Sequence, residues 1–101
     1  MSAEPYAIVT LKGQPNKRFA VLSYLGMEVN GTIVVAPLLK QDEIAIVDVL
    51  HPLVEVDGEI RVLAIERLAA VSPSLIAASA GSLIAHEYPI QRALSRLFFG
   101  N

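Results

Sequence analysis

LVEVDGEIRVLAI, at residues 53–65, carries the clearest structural signal in the sequence. Apolar and charged residues alternate near Asp57-Gly58, which is typical of strands with one buried face. Asp-Gly is also a favoured pair for a two-residue hairpin turn, which needs positive φ at both central positions. The stretch therefore predicts an antiparallel hairpin and a β-rich domain around it.

Four other segments have the composition of strands. They are Ala7 to Leu11, Arg18 to Leu25, Thr32 to Leu39 and Ile44 to Leu50. The third is apolar on both faces, which predicts a central strand, and Pro37 within it marks where pairing ends because proline has no N–H to donate. A polar turn at 12–17 joins the first two segments as a hairpin.

The end of the chain predicts a helix from Glu87 to Phe99. Apolar residues recur at spacings of three and four, which places them on one helical face that packs on the sheet. They are Ile90, Leu94, Leu97 and Phe98. Gly100 is a natural stop for this helix. Several antiparallel strands followed by one helix define a mainly antiparallel α+β fold in a single domain, residues 1–101.

Residues 73–80 fit two structures. Ser72-Pro73 resembles the start of a helix and Gly81 its end, whereas Leu75-Ile76 also suits a strand. Both interpretations stay open from the sequence.

Composition points to a protein partner. Hydrophobic residues make up 53% of the 101 residues, and a domain this small has little interior in which to bury them. We therefore expect a homodimer. The formal net charge is -2, and the eight Lys and Arg residues are scattered along the sequence. A direct grip on nucleic-acid phosphates needs clustered cations, so the sequence predicts no such grip.

No arrangement of residues calls for catalysis, a cofactor or a metal. His51 and His86 have no second ligand at metal-binding spacing, and Asp42-Glu43 has the character of a solvated loop. Glu66-Arg67 is interpreted as a surface charge pair. The sequence has no cysteine, no signal-peptide pattern at its start and no apolar run of spanning length. These features predict a cytoplasmic protein, with no membrane contact, that is not an enzyme.

Three stretches together resemble one family. Residues 33–38 read IVVAPL, a strand end of the form V-x-P-L, and residues 50–59 read LHPLVEVDGE, which is similar to the family's hairpin. Residues 97–101 read LFFGN, similar to a last helix that ends in two aromatic residues, glycine and one more residue. From Arg18 to Asn101 the chain resembles the CcdB-type toxins of toxin–antitoxin systems.

The resemblance implies a twisted, barrel-like sheet of the CcdB/MazF type with a C-terminal helix, in a homodimer. It implies that the two helix ends bind the DNA gyrase A subunit and trap gyrase on cleaved DNA. It further implies a cognate antitoxin, through which the toxin contacts DNA only indirectly and represses the shared operon. The implied gyrase-binding residues are Phe99, Gly100, Asn101, Ser95 and Arg96, and the implied dimer-interface residues are Leu97, Phe99 and Gly100. The antitoxin-binding surface stays open.

The terminus differs from that of the toxic family members, which end in Trp-Gly-Ile. Phe99 is a weaker cation–π partner than tryptophan, and Asn101 removes the apolar burial of isoleucine. Phe99 either caps the core or dimer seam, or pairs with its copy as a clamp on a target arginine. A second hypothesis is therefore a non-toxic or retargeted protein that binds an antitoxin or another cellular protein. A remote third is a MazF-like endoribonuclease, disfavoured because RNA cleavage calls for an arginine-rich groove.

Overall fold

The computed structural model describes residues 4–24, 26 and 30–101. The strands in this part of the chain form one seven-stranded sheet, ordered β4-β5-β3-β2-β1-β7, with β6 also paired to β3. All pairings are antiparallel, and the sheet curls into a half-barrel that a C-terminal helix completes, so the predicted α+β fold is confirmed. The elements are β1 (Ala7–Leu11), β2 (Gln14–Val21), β3 (Ile33–Lys40), β4 (Leu53–Val56), β5 (Glu59–Leu63), β6 (Ala69–Val71), β7 (Ile76–Ser82) and α1 (Glu87–Phe99).

β3 is the central strand, as its apolar sequence predicts. Ile33 and Val35 belong to one hydrophobic cluster, while Ala36 and Leu38 belong to a second cluster on the other face. One edge of β3 pairs with β2, and the other pairs first with β6 and then with β5. Pro37 lies where that partner changes, so it marks a switch of partner and not the end of the strand. Its carbonyl accepts a hydrogen bond from the Ala64 N–H at 3.0 Å.

The hairpin predicted at 53–65 is present as β4 and β5. Val56 pairs with Glu59, and the two residues between them have φ of 53° at Asp57 and 79° at Gly58. Positive φ at both positions is the requirement of a type I′ turn. The turn chemistry therefore fixes the register of this hairpin locally.

α1 has the bounds that its sequence predicts. Gly100 has φ of 74° and donates its N–H to the Arg96 carbonyl at 3.0 Å, which ends the helix. The buried residues are Ile90 and Ala93, and Leu94 and Leu97 pack against the same cluster. The prediction that Phe98 packs on the sheet is wrong, since 62% of its surface is exposed. Each residue turns the helix by about 100°, which carries Phe98 past the edge of the face that ends at Leu97.

Residues 44–50 form a loop and not the predicted strand. The N–H of Val47 donates to Nδ1 of His51 at 2.8 Å, a hydrogen bond that a neighbouring strand would otherwise take. Val49 has φ of 69°, which a β-branched residue rarely adopts and which is incompatible with a strand. Contacts of the His51 side chain, with Val47 four residues before it and with Glu66 fifteen residues after it, thus override the strand-like composition.

Residues 73–80, for which the sequence allows a helix or a strand, contain a short helical turn followed by a strand. The Ser72 hydroxyl accepts from the Ser74 N–H at 3.3 Å and caps a single 3₁₀ turn at Pro73–Leu75. β7 follows directly, so the helix-like start at Ser72-Pro73 forms a single turn and the rest of the segment is a strand.

The first hairpin is tighter than the sequence suggests. β2 already begins at Gln14, so the turn that follows β1 is Lys12-Gly13. Leu25, the predicted end of the second strand, lies outside the described residues. No helix in the described part of the chain has the length and apolar character needed to cross a bilayer.

Candidate nucleic-acid interface

A groove of about 760 Å³ runs along β2, β3 and β5. Among the described residues, its lining includes five of the eight Lys and Arg residues in the sequence and one carboxylate, Glu43. The five cations are Lys17, Arg18, Lys40, Arg61 and Arg67. Cations that are scattered along the sequence therefore line one groove. This corrects the expectation that the chain lacks clustered cations.

Strand pairing brings these cations together. Arg18 lies opposite Leu38 in the β2–β3 ladder, and Lys40 lies opposite Arg61 in the β3–β5 ladder. Arg67 follows on a 3₁₀ turn, Ile65–Arg67, that the fully buried Ile65 anchors to the core. No sequence motif encodes this cluster, because it depends on the register of paired residues that lie 20 or 21 positions apart in the sequence.

The cluster carries an electrostatic cost. Lys40 and Arg61 are direct cross-strand partners, and like charges in that relation are destabilising, by up to about 1 kcal/mol. Glu59 offsets part of this cost, since its Oε2 accepts from Arg61 Nη2 at 3.0 Å.

The five groove cations differ in whether they form an ion pair within the chain. Arg18 Nη1 donates to Oδ2 of Asp57 at the tip of the β4–β5 hairpin. Within the part of the chain that the structure describes, Lys17, Lys40 and Arg67 have no ion-pair partner. These three charges are open to an anionic ligand.

Glu43 is held at the groove by a backbone contact. Its Oε1 accepts from the Lys40 N–H at 2.7 Å and closes the 3₁₀ turn Gln41–Glu43. The expectation of a simple solvated pair at Asp42-Glu43 is therefore incomplete for Glu43. Its carboxylate lines the same groove as the five cations.

His51 is a structural residue. It is 4% exposed, its Nδ1 accepts from Val47, and its Nε2 lies 2.7 Å from Oε2 of Glu66. Both ring nitrogens are occupied, so neither is available to a ligand. The sequence predicts a surface pair between Glu66 and Arg67, but Glu66 pairs with His51 instead. No group of three metal-ligating side chains occurs among the described residues.

The helix end, where the resemblance places a gyrase site, is a separate exposed surface. Phe99 is 76% exposed, and its ring centroid lies 6.5 Å from that of Phe98, at a tilt of 55°. Gly100, Asn101 and Arg96 are exposed as well, and Ser95 is half-buried. Leu97 packs against the core of its own chain, so its place in a dimer interface stays a prediction.

The fold has a counterpart among solved structures. An endoribonuclease in complex with its cognate antitoxin, from Mycobacterial species, matches with a TM-score of 0.74 and 10% sequence identity. The match covers 91% of this chain and 90% of that one. Neither a family model nor a curated relative matches the sequence.

The comparison changes two expectations. A protein of this fold is an endoribonuclease, which contradicts the prediction that the chain is not an enzyme. The counterpart is bound to an antitoxin, in line with the broad toxin–antitoxin expectation. At 10% identity the match shows the fold alone, so the narrower CcdB-type assignment stays a prediction.

Proposed function

We propose that this protein is the toxin of a toxin–antitoxin pair, and that it binds and cleaves single-stranded RNA in the basic groove. The convergence of five cations on one groove carries the proposal. Clustered Lys and Arg side chains neutralise phosphates and release counterions, which supplies much of the affinity for nucleic acid. The shared fold with an endoribonuclease supports the choice of RNA.

The groove also offers a surface for a base. Phe19 lines it beside Pro37, its partner across the β2–β3 ladder, and its side chain is partly buried against the cluster of Ile33 and Val35. Bases of a single strand stack on aromatic rings, whereas bases within a duplex are not free to do so. This favours single-stranded over double-stranded RNA.

The chemistry proposed is transesterification. The 2′-oxygen of the RNA attacks the adjacent phosphorus, the bond from phosphorus to the 5′-oxygen breaks, and a 2′,3′-cyclic phosphate and a 5′-hydroxyl result. Glu43 accepts the 2′-hydroxyl proton, and the 5′-oxygen takes a proton from water. The guanidinium groups of Arg18 and Arg61 stabilise the negative charge that develops on the phosphate oxygens.

The Glu43→Gln variant separates binding from chemistry. Glutamine keeps an oxygen that can accept the Lys40 N–H, so the turn is retained, but it cannot act as a base. We expect RNA affinity equal to that of wild type or up to about fivefold higher, because a negative charge leaves the groove, and a cleavage rate reduced by about 100-fold or more. Fluorescence anisotropy measures binding, and a gel assay on labelled single-stranded RNA measures cleavage.

The two assays also test the proposed function itself. Wild-type protein that binds RNA without cleaving it would contradict the nuclease, and wild-type protein that binds no RNA would contradict the whole proposal. Full cleavage by Glu43→Gln would remove Glu43 from the mechanism and leave the groove in place.

A second candidate function is poisoning of the DNA gyrase A subunit. The exposure of Phe98 and Phe99 favours it, since two adjacent exposed rings at a helix end are costly to leave in water and can hold a cationic side chain. The cognate antitoxin and the homodimer are common to both candidates.

Deletion of residues 99–101 distinguishes the two. If gyrase is the target, we expect accumulation of cleaved DNA with the wild-type chain and its loss with the truncated chain. The RNA proposal expects unchanged cleavage of RNA by the same truncated chain, because these residues lie outside the groove lining. Supercoiling and cleavage assays with purified gyrase give the first readout.

A further inference from the structure

The tip of the β4–β5 hairpin carries two carboxylates, and each is paired with a cation of the groove. Asp57 accepts from Arg18, and Glu59 accepts from Arg61 at 3.0 Å. Both carboxylates are about two-thirds exposed. The hairpin thus covers two of the five groove charges with its own anions.

Carboxylate and phosphate compete for a guanidinium group. Both present oxygens that match the planar fork of arginine, so a phosphate that docks on the Asp57-facing edge of Arg18 takes the place of the carboxylate. Lys17, Lys40 and Arg67 have no such competitor in the described part of the chain. The groove therefore has an open half and an occupied half.

We propose that Asp57 is a built-in competitor of RNA, which occupies the Arg18 phosphate site until an RNA phosphate displaces it. RNA phosphates contact the three open cations first and reach the Asp57-facing edge of Arg18 by exchange with the hairpin carboxylate. Asp57 then sets how strongly the groove retains short or weakly bound anions. This inference rests on the proposed binding of RNA in the groove.

The turn can release Asp57 without refolding. Its backbone is fixed by positive φ at Asp57 and Gly58 and by the ladder between β4 and β5, not by the carboxylate. Asparagine is as favourable as aspartate at this turn position. Asp57→Asn therefore removes the charge and keeps the hairpin, which circular dichroism and thermal unfolding can verify.

The test measures the affinity of the full chain for a 2′-O-methyl RNA oligonucleotide, which lacks the 2′-hydroxyl and is not cleaved. For Asp57→Asn we expect about two- to fivefold tighter binding at low salt, the range set by exposed ion pairs. The gain should shrink as salt screens the charges. Glu55→Gln is the matched control, because it lies on β4, is exposed and changes the net charge equally.

Arg18→Gln completes a double-mutant cycle. The proposal expects that Asp57→Asn gives no gain once Arg18 is absent. Two results would overturn the inference, because each would show that net charge alone sets RNA affinity. One is an equal gain in affinity from Glu55→Gln, and the other is an undiminished gain from Asp57→Asn in the Arg18→Gln background. RNA binding by wild type without any effect of Asp57→Asn would overturn it and leave the proposed function intact, whereas no RNA binding by any variant would overturn both.

Discussion

Reversing two groove charges, Lys17→Glu together with Arg67→Glu, should lower the affinity for single-stranded RNA by a factor on the order of 100 and remove detectable cleavage. Both side chains are exposed and unpaired in the described part of the chain, so the fold should tolerate the change. Each loss of a phosphate contact should also reduce the slope of log affinity against log salt by about 0.7. Anisotropy titrations at several salt concentrations measure both quantities.

The control is the pair Arg92→Glu and Arg96→Glu on α1, outside the groove lining. Each double variant replaces two positive by two negative charges, so both move the formal charge from -2 to -6. Loss of Arg96 near the helix C-terminus costs at most about 1 kcal/mol of stability. If the control weakens RNA binding as much as the groove variant, net charge and not the groove determines affinity, and the proposed site is wrong.

The basic groove cannot be predicted from the sequence, because its cations come from separate strands. Cationic patches are recognised in a sequence when the charges are adjacent or share a helix face, and here they are not. Lys40 and Arg61 become neighbours only through the register of β3 against β5. That register depends on the hydrophobic pattern of both strands together, so neither the net charge nor any local motif predicts the cluster.

Elements whose structure is fixed by neighbouring residues were predictable. The Asp57-Gly58 turn dictates positive φ at both positions, and α1 is defined by its apolar spacing and by Gly100. The failures lie where a side-chain contact or strand pairing decides. The His51 side chain, four residues further along, takes the Val47 N–H, and β7 extends past Ile76 because it pairs with β1.

The C-terminal part of α1 could be predicted only in part from its sequence. The spacing of apolar residues correctly places Ile90, Leu94 and Leu97 against the sheet, but it does not show where the stripe stops. Ala93 completes the packed face, and Phe98 falls outside it. The size of a side chain is thus a weaker guide to burial than its angle on the helix.

Ile90→Ala should destabilise the protein by about 2–5 kcal/mol, the range for removing a buried aliphatic side chain and leaving a cavity. Ile90 is fully buried and belongs to the hydrophobic cluster that α1 shares with the sheet. Domains of this size are stable by only about 5–15 kcal/mol, so the loss is a large part of the total. Urea unfolding followed by circular dichroism gives the change in free energy.

Phe99→Ala is the matched comparison on the same helix. Because Phe99 is 76% exposed in the single chain, its truncation should change the free energy of unfolding by less than about 0.5 kcal/mol. A larger loss that grows with protein concentration would mean that the ring is buried between two copies, since the stability of a dimer depends on concentration. That outcome would support the predicted homodimer with Phe99 in its seam, whereas a small, concentration-independent effect would leave the ring free for a target such as gyrase.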